Sequence, residues 1–214
     1  MPTKRKIRYI SATWHAIYIF SPYATHKSSN MKLKTAPLVI LTALFFHTAS
    51  AQEYASPTQA AQTGRSPGVK VKLISDNGPT KTYAIIFAPG DEILSGLQEF
   101  AVKYNVRSAH FTAIGDAKSV KFGWYDKSKK MFKVTALNSY AEITSLIGDI
   151  ALKDGKPSVH AHIALATEDG VVHGGHLLEA FIEPTLEVMM TVEPVPLNKK
   201  SDPRFGINVI DPEQ

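Results

Sequence analysis

From Val106 onward apolar and polar residues alternate in short runs, whereas one earlier segment repeats its apolar residues at helical spacing. A period of two puts successive side chains on opposite faces of a strand, and an i, i+3, i+4 recurrence lines one face of a helix. Residues 69–74 alternate, residues 82–87 are apolar and β-prone, and Asn77-Gly78 between them signals a turn, so a hairpin is predicted here. Pro89-Gly90-Asp91 then introduces a helix. Asp91 is the expected N-cap, Ile93, Leu94, Leu97, Phe100, Ala101 and Tyr104 form the apolar stripe, and Asn105 ends it. Strands follow over residues 108–114, 120–125, 131–137 and 140–152, broken at Gly115-Asp116, at residues 126–130 and at Asp154-Gly155. A further hairpin covers residues 159–177, and a last strand is predicted over 186–192, after Pro184. One main helix on a mostly antiparallel β-sheet is an α+β domain. There is no G-x-G-x-x-G, no P-loop and no βαβ alternation, which argues against a Rossmann-type nucleotide site.

The hairpin at 159–177 carries the candidate chemistry. It reads His160-Ala161-His162, then an apolar run to Glu168-Asp169-Gly170, then Val171-Val172-His173-Gly174-Gly175-His176. On a strand His160 and His162 share one face. Whether His176 joins them depends on the loop. A two-residue loop at Asp169-Gly170 pairs His162 with Leu177 and turns His176 the wrong way. A three-residue loop of Glu168-Asp169-Gly170, with Gly170 left-handed, pairs Thr167 with Val171 and sets His162 opposite His176. Cβ atoms of opposed residues lie roughly 5 Å apart, close enough to share one ion. A metal site therefore requires the longer loop. In that register His173 leaves from the other face, unless a bulge at Gly174-Gly175 intervenes. The bland alternative is three unrelated histidines on a polar face.

The chain ends alter the charge argument. Met31-Lys32-Leu33-Lys34, an apolar run over 36–46 and Ala49-Ser50-Ala51 have the form of a secretory signal peptide cleaved after Ala51. The apolar run is too short for a comfortable membrane span, so no span is expected after cleavage. Because such a signal starts near an initiator, residues 1–30 are read as an upstream mis-start or a leader. The 214-residue chain carries +5, but residues 1–51 hold seven of its 24 basic residues and no acid. What remains has 17 basic residues against 19 acidic ones, a net −2, so the basic total is no sign of nucleic-acid binding. There is no cysteine, so the fold has no disulfide and any metal must be held by nitrogen and oxygen ligands. Residues 52–67, rich in Ala, Gln, Ser, Thr and Pro, read as a flexible linker, 68–193 as the single domain and 194–214 as an extended tail over the surface.

Pro89-Gly90-Asp91-Glu92-Ile93-Leu94, Ala113-Ile114-Gly115, residues 140–148, and the block from Val159 through Asp169-Gly170 to Gly174-Gly175-His176-Leu177 occur in an order that resembles the PPC domain family (plant and prokaryote conserved domain, DUF296). The resemblance covers about 110 residues and is that of the free-standing bacterial type. It implies an α+β subunit assembled as a homotrimer, and a metal held by His160, His162 and His176, the trio that the register argument also reaches. In plants the domain accompanies Arg-Gly-Arg-Pro AT-hook segments that enter DNA, and this chain has none.

The expectation is a periplasmic or secreted, non-catalytic, trimeric metal-binding module that binds or senses a small molecule, with a divalent ion, zinc first, as its cofactor. One alternative is a zinc-dependent enzyme, since three histidines and an open position can lower the pKa of a bound water. Its general base would come from Glu142, Glu168 or Glu179. A second is DNA binding, as the family label suggests, although charge and export argue against a nucleic-acid partner. Glu187 would complete the coordination sphere only if its strand neighboured the hairpin. Arg107 and His110 are read as a solvated sheet edge, Lys127, Lys129 and Lys130 as a turn, and Trp124 and Tyr125 as core or interface.

Overall fold

A computed structural model describes residues 51–214; the expected leader and the signal segment up to Ser50 lie outside the described residues. Ten strands and one helix follow in chain order: β1 (Tyr54–Ala55), β2 (Lys70–Asn77), β3 (Thr80–Phe87), α1 (Ile93–Lys103), β4 (Ser108–Asp126), β5 (Met131–Leu137), β6 (Ala141–Lys153), β7 (Lys156–Ala166), β8 (Val172–Val192), β9 (Asn198–Asp202) and β10 (Ile207–Asp211). The sheet runs β1-β5-β4-β6-β7-β8-β3-β2, and β4 also pairs with β8. Because β8 pairs with β7 at its start and with β4 beyond, the ladder β4-β6-β7-β8 closes on itself.

Alternation decides which face is core. On β7, Ala161, Ile163 and Leu165 are buried against Leu146, Ile150 and Phe111, while His160 and His162 leave from the other face. Helix α1 packs on β7 and β8 and buries Ile93, Leu97, Phe100 and Ala101, each large apolar side chain contributing about 1.5–3 kcal/mol. Among the described residues no helix is long and apolar enough to cross a membrane.

Several boundaries differ from the sequence reading. The helix N-cap is Glu92, whose carboxylate accepts from the Leu94 and Ser95 amides; Asp91 instead accepts from Gly68 N and Ala88 N, at 2.9 Å each. Glu92 also accepts from Ala180 N at 3.1 Å, so one buried carboxylate ties the helix start to β8. Burial pushes that carboxyl above its ordinary range, against the pull of the backbone amides and Arg65. The predicted strands 108–114 and 120–125 are one strand, β4, because Gly115 makes a register shift against β6 rather than a turn. Likewise Pro184 does not start a new strand. It sits where the β4–β8 ladder skips, and its missing N–H costs nothing there.

Both flanking segments belong to the fold. The linker expected at 52–67 forms β1 against β5, sends Gln52 Nε2 to the Val134 carbonyl at 2.8 Å, and docks Arg65 on Glu179 at 2.6 Å. The tail expected to lie extended at 194–214 instead folds back as the β9–β10 hairpin. It is joined to β6 at Leu152–Asn198 and to the β4–β5 turn by a Lys130 Nζ bond to the Pro203 carbonyl at 2.9 Å.

Candidate metal centre

The β7–β8 turn adopts the three-residue form. Thr167 N donates to the Val171 carbonyl at 3.0 Å, Gly170 N to the Thr167 carbonyl at 2.8 Å, and Gly170 has φ +77°. Asp169 Oδ1 accepts from Thr167 Oγ1 and Val171 N, a local bond pattern that favours this turn. The ladder then pairs His162 with His176 and runs without a bulge through Gly174 and Gly175. His173 lies opposite Leu165, on the other face from His162.

His160, His162 and His176 therefore converge. Their ring centroids are 5.1, 5.2 and 5.6 Å apart, and each offers a nitrogen within 4.8 Å of the others. Such a group could hold a metal ion. In the neighbouring β6–β7 ladder a Cβ at Gly148 would collide with the His160 carbonyl oxygen and the Phe111 ring, so a glycine is needed for the two strands to lie this close. The ring of Phe132, on β5, stacks on His176 with centroids 4.1 Å apart and planes 4° apart. Burial first, and the nearby His160, His162 and Lys199 next, hold the His176 imidazole down to about 3, so it is neutral at ordinary pH. Its Nδ1 is buried and has no hydrogen-bond partner among the described residues. His162 is likewise lowered, by burial and then by His160.

Two groups that the sequence reading did not nominate complete the surroundings. Asp149, on β6, lies opposite His160 and places Oδ2 3.2 Å from its Nδ1. Lys199, on β9, places Nζ 2.8 Å from Asp149 Oδ1 and donates to the Ser158 carbonyl at 3.2 Å. Burial works to raise the Asp149 carboxyl, but the bonds to His160 and Lys199 outweigh it and leave it below its ordinary range. A signal for Asp149 existed. Asp154-Gly155 is a two-residue turn with both φ positive, which counts Asp149 onto His160. Lys199 had none, because its strand reaches the site only in three dimensions.

The other nominated acids lie elsewhere. Glu187 pairs with Ile114 and, with Glu142 and Asp116, lines a separate open cleft of about 380 Å³. Its strand segment does not neighbour the histidine hairpin, so the condition for completing the sphere is not met. Glu179 is engaged by Arg65, and Glu168 sits exposed in the β7–β8 loop. Trp124 is exposed and so is not core, whereas His110, although exposed, pairs with Asp149 of β6 and Thr191 of β8 and so lies inside the sheet, not at the edge expected for it.

Residues 75–193 match the Plants and Prokaryotes Conserved (PCC) domain. Among solved structures, a plant- and prokaryote-conserved (PPC) protein from Pyrococcus horikoshii is 31% identical, with a TM-score of 0.58 over 66% of this chain and 94% of that one. A metal-containing protein from Archaeoglobus fulgidus is 28% identical, with a TM-score of 0.57 over 65% and 98%. A candidate DNA-binding protein from Ralstonia eutropha is 33% identical, with a TM-score of 0.57 over 60% and 90%. No curated protein matches the chain. Fold, matched span and histidine hairpin agree: the chain belongs to the plant- and prokaryote-conserved (PPC, or PCC) domain family.

Proposed function

We propose that this protein is an exported, trimeric metal-binding module in which His160, His162 and His176 hold one divalent ion, zinc first, and leave a coordination position for a small ligand. The observation that carries this reading is the convergence of three imidazole nitrogens within 4.8 Å, one ring being kept neutral by burial. The residues suit such an ion. Neutral imidazole is a good ligand for borderline divalent metals, His176 Nδ1 is buried without a partner, and Asp149 can fix the tautomer of His160 as outer carboxylates do. The metal-containing relative from Archaeoglobus fulgidus supports it.

Assembly draws support from the outer sheet face. There the cross-strand row His162–Ile147–Thr112–Met189 leads from the centre into exposed Ile147 and Met189, beside exposed Ile114. Burying that row between subunits would remove apolar surface from water and cover one side of the histidines. The enzyme reading is weaker, because Glu142, Glu168 and Glu179, its candidate bases, are each occupied or placed elsewhere. Nucleic-acid binding rests on the description of relatives, while residues 52–214 carry net −2.

The test is metal analysis with oligomeric mass on protein expressed from Met31. The expected product begins at Gln52, contains one zinc per subunit, and has the mass of three subunits by light scattering. A metal-free monomer, or a product that still begins at Met31, would sink the reading.

A further inference from the structure

We propose that Lys199, brought to the histidine centre by the β9–β10 hairpin, sets the charge of that centre so that its open side takes a small anion, a carboxylate. The inference rests on the metal-centre reading above. Lys199 lies beyond the matched domain, which ends at residue 193, so the hairpin adds this charge to the domain. Its side chain is only 4% exposed, and its ammonium sits between Asp149 Oδ1 at 2.8 Å and the Ser158 carbonyl at 3.2 Å.

Charge at the centre follows from these contacts. Three imidazoles bring no negative charge. Among the described residues Asp149 is the only carboxylate in ion-pair contact with any of the three, through His160. Lys199 cancels that charge. A divalent ion held here would therefore keep both of its positive charges, whereas a centre with a free carboxylate would keep one. His162 is exposed, which leaves a side from which a ligand can approach. An anion at that side meets a doubly charged ion, and a neutral ligand of the same shape gains no such attraction.

The test uses full-length mature protein loaded with cobalt(II), whose visible spectrum reports its ligands. Acetate should shift the spectrum saturably, and acetamide, its neutral analogue, should not. Lys199→Met leaves Asp149 with its contact to His160 and no ammonium beside it. It should weaken acetate binding roughly tenfold while leaving cobalt binding equal or tighter. Asp149→Asn reverses both signs, and Lys199→Arg restores wild-type behaviour. A purely structural role for Lys199 would weaken cobalt and acetate together. That result overturns the proposal, as does an equal response to acetate and acetamide. If Lys199→Met does not fold, the opposite shifts in Asp149→Asn decide. Wild-type protein that takes up no cobalt overturns the metal-centre reading as well, whereas cobalt uptake without an acetate response overturns this inference alone.

Discussion

Asp149 and His160 face each other across the β6–β7 ladder, with the carboxylate Oδ2 3.2 Å from the imidazole Nδ1. That contact makes Nδ1 the protonated nitrogen and leaves the other free as a ligand. Carboxylates in this position typically tune metal affinity by 10–100-fold. Asp149→Ala is therefore expected to lower zinc affinity within that range, by competition with a chromophoric chelator, without changing the circular dichroism spectrum. Unchanged affinity would mean that the pair does not orient a ligand.

The ladder puts His173 on the opposite face from His176, three residues on, and from the His162 that His176 pairs with. His162→Ala removes a converging ring and should abolish stoichiometric metal, whereas His173→Ala, opposite Leu165 on the other face, should leave it intact. Elemental analysis of the two variants decides. The reverse result would move the centre to His173.

Gly170 has φ +77°, and a Cβ there would meet nothing within 4 Å. The cost of Gly170→Val is thus conformational rather than a clash, of order 1–3 kcal/mol. The turn is what sets His162 against His176, so this variant should lose both thermal stability and metal. Gly170→Asn, which tolerates the left-handed region, should retain most of each. Full metal content in Gly170→Val would show that the core residues of β7 and β8 hold the register without the turn.

The depressed His176 gives the metal-free protein a pH dependence of defined sign. An unfolded histidine takes a proton near 6.5, and the folded one only near 3. Between those values the unfolded chain binds the extra proton, so the stability is fully present above 6.5 and is lost as pH falls toward 3. His162, also lowered, adds in the same direction. The urea midpoint should drop between about pH 6.5 and pH 5, and His176→Phe should flatten that slope; the raised Glu92 carboxyl acts in the opposite direction, so the difference between the two proteins is what is read. The same slope across that range in both proteins would contradict the buried neutral imidazole.

Ile147 and Met189 flank Thr112 on the exposed face, in the row that ends at His162. Ile147→Glu should lower the mass seen by light scattering from three subunits to one while secondary structure persists. A trimer that tolerates this change would use another face.

Local chemistry made much of the centre legible in the chain. His160, His162 and His176 lie on two strands joined by one short turn, so period-two geometry and the Asp169-Gly170 signal suffice to bring them together. The same counting through Asp154-Gly155 reaches Asp149, because that turn too is short and unambiguous. The helix was readable from its stripe, but not its cap, because Asp91 and Glu92 are both good acceptors. Only the bond from Ala180 N, in a strand 88 residues on, shows how Glu92 is used.

What tertiary structure alone decided is whatever arrives from a distant part of the chain. Phe132 reaches His176 because β5 and β8 flank the far end of β4, and Gly123 leaves room for the ring. Lys199 reaches Asp149 because a segment with four prolines, which has no periodicity to read, folds back as a hairpin onto β6 and the β4–β5 turn. Spacing along the chain encodes neighbours only while the backbone between them is a regular strand or a short turn; across longer separations, packing of the whole sheet sets the contact, and with it the charge of the histidine centre.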